Sequence, residues 1–362
     1  MFEAIWKKIL RRRGMSLLSI PALILWILSL GYRIVLRLAH FIPREKIKVG
    51  IPVISIGNIT VGGTGKTPIL SAIAGFLINE GYRVGIVSSA YGRMENKSVV
   101  KAGYEVTEMP ISQTGDEVML LADALPEAVF SIDSSKTVAA QNAANSGIPL
   151  DILLVDDGFQ HWQLHRDIDI VTYDAAIPPG QMKMFPSGVL RESFSALQRA
   201  DVIVITRSKF AKDLSRLEDK LHKLAPAAAI YAARFHFKEL VGHHRLMPLK
   251  YLEDKSVFIF AGIGNFRAFE RQIRAISRNI VYAMEFSDHQ VYTNEILHKI
   301  KNLAGKHEAG VILTTGKDWF KVRHFDFGRE LYYLSQIIDI DPGEEKLVSH
   351  LLKRIGVTKK VG

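Results

Sequence analysis

Lys66 and Thr67 close a glycine-rich run, Thr60-Val61-Gly62-Gly63-Thr64-Gly65, and an ammonium beside a hydroxyl at that spacing is suited to holding a nucleotide's phosphates. The run matches GxxxxGK[ST] except at its first position, where Thr60 stands in place of glycine. Glycines let successive backbone N–H groups curl toward phosphate oxygens, and a following helix adds the positive end of its dipole. Lys66 is expected to hold a nucleotide's β- and γ-phosphates, and the Thr67 hydroxyl to complete a Mg2+ shell. Such a loop needs a carboxylate at the end of a neighbouring strand. The apolar residues 152–155 supply one, ending in Asp156-Asp157 and then Gly158-Phe159-Gln160-His161. Asp156 is expected to orient the metal. Asp157, Gln160 and His161 are expected at an acceptor pocket or around the metal, since polar side chains just past a strand end face the cleft of such a sheet; His161 reads equally well as a packed histidine.

The elements that must position these residues are legible as periodicity. Residues 53–56 form a short apolar, β-branched run before Gly57-Asn58, and a helix is expected from Pro68 through Leu77. Further strands are expected at 83–88, 128–132, 152–155, 168–173 and 202–205, with helical patterns between several of them, which implies a parallel sheet covered on both faces. Around 225–249 the pattern becomes alternating, as in Tyr231-Ala232-Ala233-Arg234-Phe235, which suggests a β-ribbon. Strands near 257–261, 280–283 and 311–314 then make a second set. The expected architecture is α/β: a P-loop core over 38–225, a β-ribbon linker over 226–250, a smaller α/β lobe over 251–362, and an N-terminal apolar helix within 1–37.

The chain has 362 residues, no cysteine, and a formal charge of +10, so disulfides, thiolate metal sites and cysteine nucleophiles are excluded and anionic partners are favoured. Lys7, Lys8, Arg11, Arg12 and Arg13 precede nineteen uncharged residues, 14–32, and Arg33, Arg37, Arg44, Lys46 and Lys48 follow them. As a helix that run reaches roughly 28 Å, about one hydrocarbon thickness. Basic flanks on both sides and Pro21 within the run fit an interfacial or partly inserted anchor on an anionic leaflet better than a crossing. A buried core helix is the competing reading. Nucleic acid is not expected, because the basic residues cluster around the apolar run and not along an aromatic-studded platform.

The residues resemble the tetraacyldisaccharide 4'-kinase family, also called the lipid A 4'-kinases. The resemblance rests on residues 57–68 (GNITVGGTGKTP), Tyr91-Gly92-Arg93, Gly115-Asp116-Glu117, residues 155–161 (VDDGFQH), Leu190-Arg191-Glu192, residues 261–265 (AGIGN), Asp288-His289 and Lys317-Asp318. It implies phosphorylation by ATP and Mg2+ of the 4'-hydroxyl of a tetraacyl-disaccharide 1-phosphate in lipid A assembly. It also implies attachment at the cytoplasmic face of the inner membrane of a Gram-negative-type bacterium. The family's catalytic pair maps to Asp116 and His289, an aspartate accepting the hydroxyl proton beside a histidine that holds it. From the residues alone Asp116 reads equally as a solvated loop carboxylate, and His289 would not be selected. Arg93, Arg191 and Glu192 are implied at the nucleotide, the 1-phosphate or the sugar, with solvated arginines the equal alternative.

The sequence departs from the family's pattern at Ser89-Ala90, before Tyr91, and at Gly316, before Lys317. Neither change touches the phosphate loop or Asp156. Two rival readings remain. A Ras-type GTPase would carry an Asn-Lys-x-Asp motif, which is absent from the sequence. A membrane-associated P-loop switch without an acceptor substrate would need the phosphate loop but no base for a hydroxyl.

Overall fold

The structure is a computed structural model, and it describes residues 20–41, 45–89, 97–243 and 245–357. In chain order its strands are β1 (Val53–Asn58), β2 (Val84–Ser88), β3 (Val99–Ala102), β4 (Val129–Ile132), β5 (Ile152–Asp156), β6 (Ile168–Asp174), β7 (Val202–Thr206), β8 (Ala229–Val241), β9 (Leu246–Pro248), β10 (Val257–Ala261), β11 (Ile280–Glu285), β12 (Val311–Thr314) and β13 (Glu330–Asp341). The helices that concern the site are α1 (Ile20–Phe41), α2 (Lys66–Asn79), α3 (Asp116–Ala124), α4 (Gly316–Val322) and α5 (Glu344–Ile355). The chain divides into two units, each assembled from separated stretches: residues 1–87, 144–234 and 339–362 in one, and 88–143 and 235–338 in the other. The second unit thus takes in 88–143, which the sequence pattern assigns to the core. The first recovers the C-terminal helix.

In the first unit the strands follow the order β8-β7-β6-β1-β5-β2, all parallel. Every residue of β1, β5, β6 and β7 is buried, as the continuous apolar runs require of strands covered on both faces. α2 covers the sheet through Ile69, Leu70, Ile73, Ala74 and Leu77, and α5 packs against α2 with Leu347, Val348 and Leu351 buried.

In the second unit β11-β10-β12-β13 are parallel neighbours, β8 pairs with β9 antiparallel, and β3 pairs with β4 antiparallel. The β8–β9 pair supplies the ribbon that alternation suggested. Its core gathers Phe258, Phe260, Trp319, Phe320 and Phe327, and Met119 of α3 joins them. That places α3 on α4.

Of the apolar N-terminal run, the described part is α1. Ser29 is buried and bonds Ser187 Oγ at 2.9 Å, and Tyr32 donates to the Arg191 carbonyl at 3.1 Å. Leu23, Ile24, Trp26, Ile27, Leu28, Ile34, Val35 and Leu38 are exposed. Among the described residues no helix is long and apolar enough to cross a membrane. The basic cluster from Lys7 to Arg13, with Arg44, lies outside the described residues, as does Arg93.

Candidate functional site

The phosphate loop sits between β1 and α2, as the strand–glycine–helix pattern predicts. Gly62 and Gly65 adopt φ of 99° and 87°, a region that costs a side-chain-bearing residue free energy, so these glycines are what the curl requires. Among the described residues no side chain caps the start of α2, which leaves the N–H groups of its first turn as donors to an anion. The loop is braced from behind. Asn58 Nδ2 donates to Thr64 Oγ1 at 2.9 Å, Thr64 Oγ1 meets Thr172 Oγ1 at 2.7 Å, and Thr206 Oγ1 donates to the Thr64 carbonyl at 2.7 Å. Arg207 donates to the Gly63 carbonyl at 2.7 Å and to Asp174 at 2.5 Å. Thr60 pairs with Leu190 across an isolated bridge, and Val61 N donates to the Val189 carbonyl at 2.7 Å. The residue replacing the motif's first glycine is thus held as a strand edge, with no need of a glycine conformation.

β5 delivers the carboxylates beside this loop because it runs parallel to β1 with Asp156 opposite Ile56. Asp156 is only 8% exposed. Asp157 turns the chain at φ 50°, an uncommon conformation for a residue other than glycine. Its two oxygens are divided: Lys66 Nζ lies 3.3 Å from Oδ1, and Arg191 donates to Oδ2 at 2.9 Å. Gln160 donates to the Asn58 carbonyl at 2.8 Å and to Glu192 Oε1 at 2.9 Å. Arg199 clasps buried Glu192 with two bonds of 2.8 and 3.1 Å while its guanidinium lies over the Phe159 and Trp162 rings. His161 is half-buried, with its backbone carbonyl accepting from Arg166 at 2.5 Å. Asp157 and Arg191 are therefore tied to the phosphate-loop lysine, while Gln160, Glu192 and Arg199 form a second group anchored to the Asn58 carbonyl at the end of β1.

The donor set suits Mg2+. Among the described residues no cluster of three or more His, Cys, Asp and Glu offers a complete metal cage. A hydroxyl at the first turn of α2 and a nearly buried carboxylate at the end of β5 are the sparse oxygen donors that Mg2+ takes when phosphates and water fill the rest of its octahedron.

A second cluster belongs to the other unit. Asp116 opens α3 and is 6% exposed. Its Oδ2 receives both His289 Nδ1 at 3.2 Å and Lys321 Nζ at 2.9 Å. Burial alone would raise the Asp116 carboxyl, but the bonds from His289 and Lys321 and the nearby charge of Lys317 overcome it and hold the group well below the usual carboxylate range. The bond to Asp116 in turn raises His289 above the ordinary imidazole value. Burial would lower Lys317, but its ion pair with Glu117 leaves it raised.

His289 also has a positive φ, 56°, and the backbone around it explains why. Its N–H reaches the Gly262 carbonyl at 3.2 Å, and the Gly262 N–H donates to Asp318 Oδ2 at 3.0 Å. A Cβ on Gly262 would stand 2.7 Å from Gln290 Cβ and 2.9 Å from the Ser287 carbonyl, so only glycine lets the His289 loop close there. Strained backbone held by surrounding bonds is characteristic of working sites, and among the described residues three of the four non-glycine positive-φ positions, Asp157, Arg207 and His289, fall in these two clusters.

Several participants escape a reading of the sequence by motif. Lys321 lies four residues after Lys317, which puts the two lysines on one helical face, and that spacing was the available signal. Arg199, Thr172 and Thr206 carry no motif and become visible only once the strands are paired.

A parallel sheet whose first strand leads through a braced glycine loop into a helix, beside a strand ending in aspartates, defines a nucleotide-binding protein of the P-loop class. The family model described as tetraacyldisaccharide-1-P 4'-kinase matches residues 21–356, and the chain belongs to that family. The tetraacyldisaccharide 4'-kinase of Halothermothrix orenii is 36% identical over 290 residues, covering 76% of this chain and 75% of its own. That of Desulfotalea psychrophila is 34% identical over 333 residues, covering 90% and 92%. A crystal structure of LpxK from Aquifex aeolicus in complex with ATP superposes with a TM-score of 0.73 at 24% identity, over 91% of this chain and 98% of that one, and shows the shared fold.

Proposed function

We propose that this chain transfers the γ-phosphate of ATP to the 4'-hydroxyl of a tetraacyl-disaccharide 1-phosphate lipid. The observation that carries the reading is Asp116, a buried carboxylate kept ionised by an imidazole and an ammonium. A nucleotide switch needs a phosphate cradle alone, whereas a sugar hydroxyl is a weak nucleophile that needs a base. In the reaction the hydroxyl proton passes to Asp116, a new O–P bond forms, and the bond to the β–γ bridging oxygen breaks so that ADP leaves with its electron pair. Lys66 and the first-turn N–H groups of α2 hold the phosphates, and most of the acceleration comes from this positioning and charge stabilisation. Thr67 and Asp156 would hold Mg2+. Once bound, the ion neutralises charge on the β- and γ-phosphates. Asp157, itself held by Arg191, positions Lys66, and Arg191, Gln160 and Glu192 offer hydrogen-bonding groups to the acceptor's sugar or its 1-phosphate.

The reading also places the protein at the cytoplasmic face of an inner membrane. α1 presents a run of exposed apolar side chains, with Arg33 and Arg37 following among them, as an interfacial helix on an anionic leaflet does. The test is incubation with γ-labelled ATP, Mg2+ and the disaccharide 1-phosphate lipid in mixed micelles. Label on the lipid is the expected outcome. ATP hydrolysis that is stimulated by membranes but leaves the lipid unlabelled would replace the kinase with a switch.

A further inference from the structure

Lys321 is the residue of the second cluster that no motif contains. Its side chain is 13% exposed, and it lies between two buried carboxylates, 2.9 Å from Asp116 Oδ2 and 3.9 Å from Oδ1 of fully buried Asp318. Neither carboxylate can be stripped of water as an anion without a cation or donors at hand. Asp318 has donors of its own, the Gly262 N–H at 3.0 Å and the Thr315 hydroxyl at 2.7 Å. Among the described residues Asp116 has two, His289 and Lys321, and both meet the same oxygen.

That convergence assigns the two oxygens different work. With Oδ2 engaged twice, Oδ1 is the atom left to accept a hydroxyl proton. We propose that Lys321 is a positioning residue for the phosphoryl acceptor's base: it anchors Asp116 Oδ2 together with His289, fixes the carboxylate's orientation, and keeps it charged while buried. The inference rests on the reading of Asp116 as that base. A single imidazole donor would leave the carboxylate free to pivot about one bond, and a neutral imidazole would supply no charge. An ammonium on a helix packed against α3 supplies both constraints, and Asp318 at one end of the same helix ties it to the Gly262 backbone that carries the His289 loop.

Among the described residues the other charged groups around Asp116 have partners of their own. Lys317 of α4 is paired with Glu117 of α3, and Asp288 lies 4.0 Å from His289 Nε2. Glu105, on the short helix Gly103–Val106 packed against α3, accepts from the Ala102 N–H at 3.0 Å and meets Lys101 at 3.5 Å. Lys321 is therefore the cation whose removal leaves Asp116 with burial opposed by His289 and by Lys317, whose charge Glu117 already offsets. Loss of Lys321 raises the pH at which Asp116 gains its proton.

The experiment compares full-length wild type with Lys321→Met, Lys321→Gln and Lys321→Arg in steady-state transfer to the lipid between about pH 5 and 9, a window spanning the ordinary carboxylate and imidazole ranges. Activities are read as variant-to-wild-type ratios, so titrations common to both, those of ATP included, cancel. The expected result is a kcat loss of about 10- to 100-fold at neutral pH for Met and Gln, steepening as pH falls. ATP KM should be unchanged, and Arg should restore most of the rate and flatten the ratio. In an Asp116→Asn background Lys321→Met should cost little more, because the lysine acts through that carboxylate. A ratio independent of pH in folded protein, or an equal further loss in the Asp116→Asn background, overturns the inference. If the Met variant does not fold, the Gln and Arg pair decides: equal profiles overturn it. Undiminished turnover in Asp116→Ala would instead defeat the reading beneath it.

Discussion

Lys66 and Asp157 form an ion pair across the phosphate loop, Nζ to Oδ1 at 3.3 Å, and Arg191 holds the other oxygen of the same carboxylate at 2.9 Å. The phosphate-loop lysine is thus aimed by a carboxylate that has a second cation of its own.

Removing the ammonium should therefore disable the loop without unfolding it. Lys66→Ala leaves Asp157 paired with Arg191, so no buried charge is orphaned and thermal stability should move little. The rate should fall by about 100-fold or more, the scale on which single charge-stabilising groups act. Calorimetric melting beside steady-state kinetics checks both halves.

The second cluster predicts a different signature. Asp116→Ala and His289→Ala should each reduce kcat by about 10²- to 10⁴-fold while ATP binds as before, because a positioned base acts on the acceptor's proton and not on nucleotide affinity. Nucleotide titration by calorimetry separates the two effects. Unchanged turnover in either variant rejects the pair.

Their coupling also sets a pH dependence of stability. His289 is raised in the folded state, so its contribution is fully present below the ordinary imidazole value of about 6.5 and is lost as pH rises through the folded value. Asp116 is lowered, so its contribution is present above about 3.9 and is lost only under strong acid. The melting-temperature difference between wild type and His289→Asn should be largest near pH 6 and shrink toward pH 9. A difference that grows on the alkaline side contradicts the assignment.

At the N-terminus, Arg33 and Arg37 should draw α1 to anionic lipid. Replacing both by glutamine should weaken sedimentation with phosphatidylserine-type vesicles by about 2 kcal/mol, roughly 30-fold, and leave binding to neutral vesicles less affected. Equal loss on both vesicle types would leave apolar burial as the source of attachment.

Much of the first unit was legible because its signals are local. Continuous β-branched runs mark buried parallel strands, and the glycine loop announces its own chemistry. Asp156 followed from the strand it ends. Lys321, Arg199 and Thr206 did not, because each acts at a partner distant in sequence that periodicity cannot reveal. The assignment of 88–143 to the second unit was hidden for the same reason: α3 is an ordinary short helix until Met119 is seen within the core built by Phe258 and Trp319. Gly262 carried its information in a motif, but its purpose, closing the His289 loop, is a matter of a 2.7 Å approach.

The most direct measurement is phosphorus NMR of the lipid recovered after complete reaction of wild-type protein with ATP and Mg2+. Transfer of the γ-phosphate to the 4'-hydroxyl should give one new phosphomonoester coupled to the sugar proton at the 4' position, reduced by about 100-fold or more with Lys66→Ala over the same interval. A lipid returned with only its original 1-phosphate, or a new phosphate on any other hydroxyl, would contradict it.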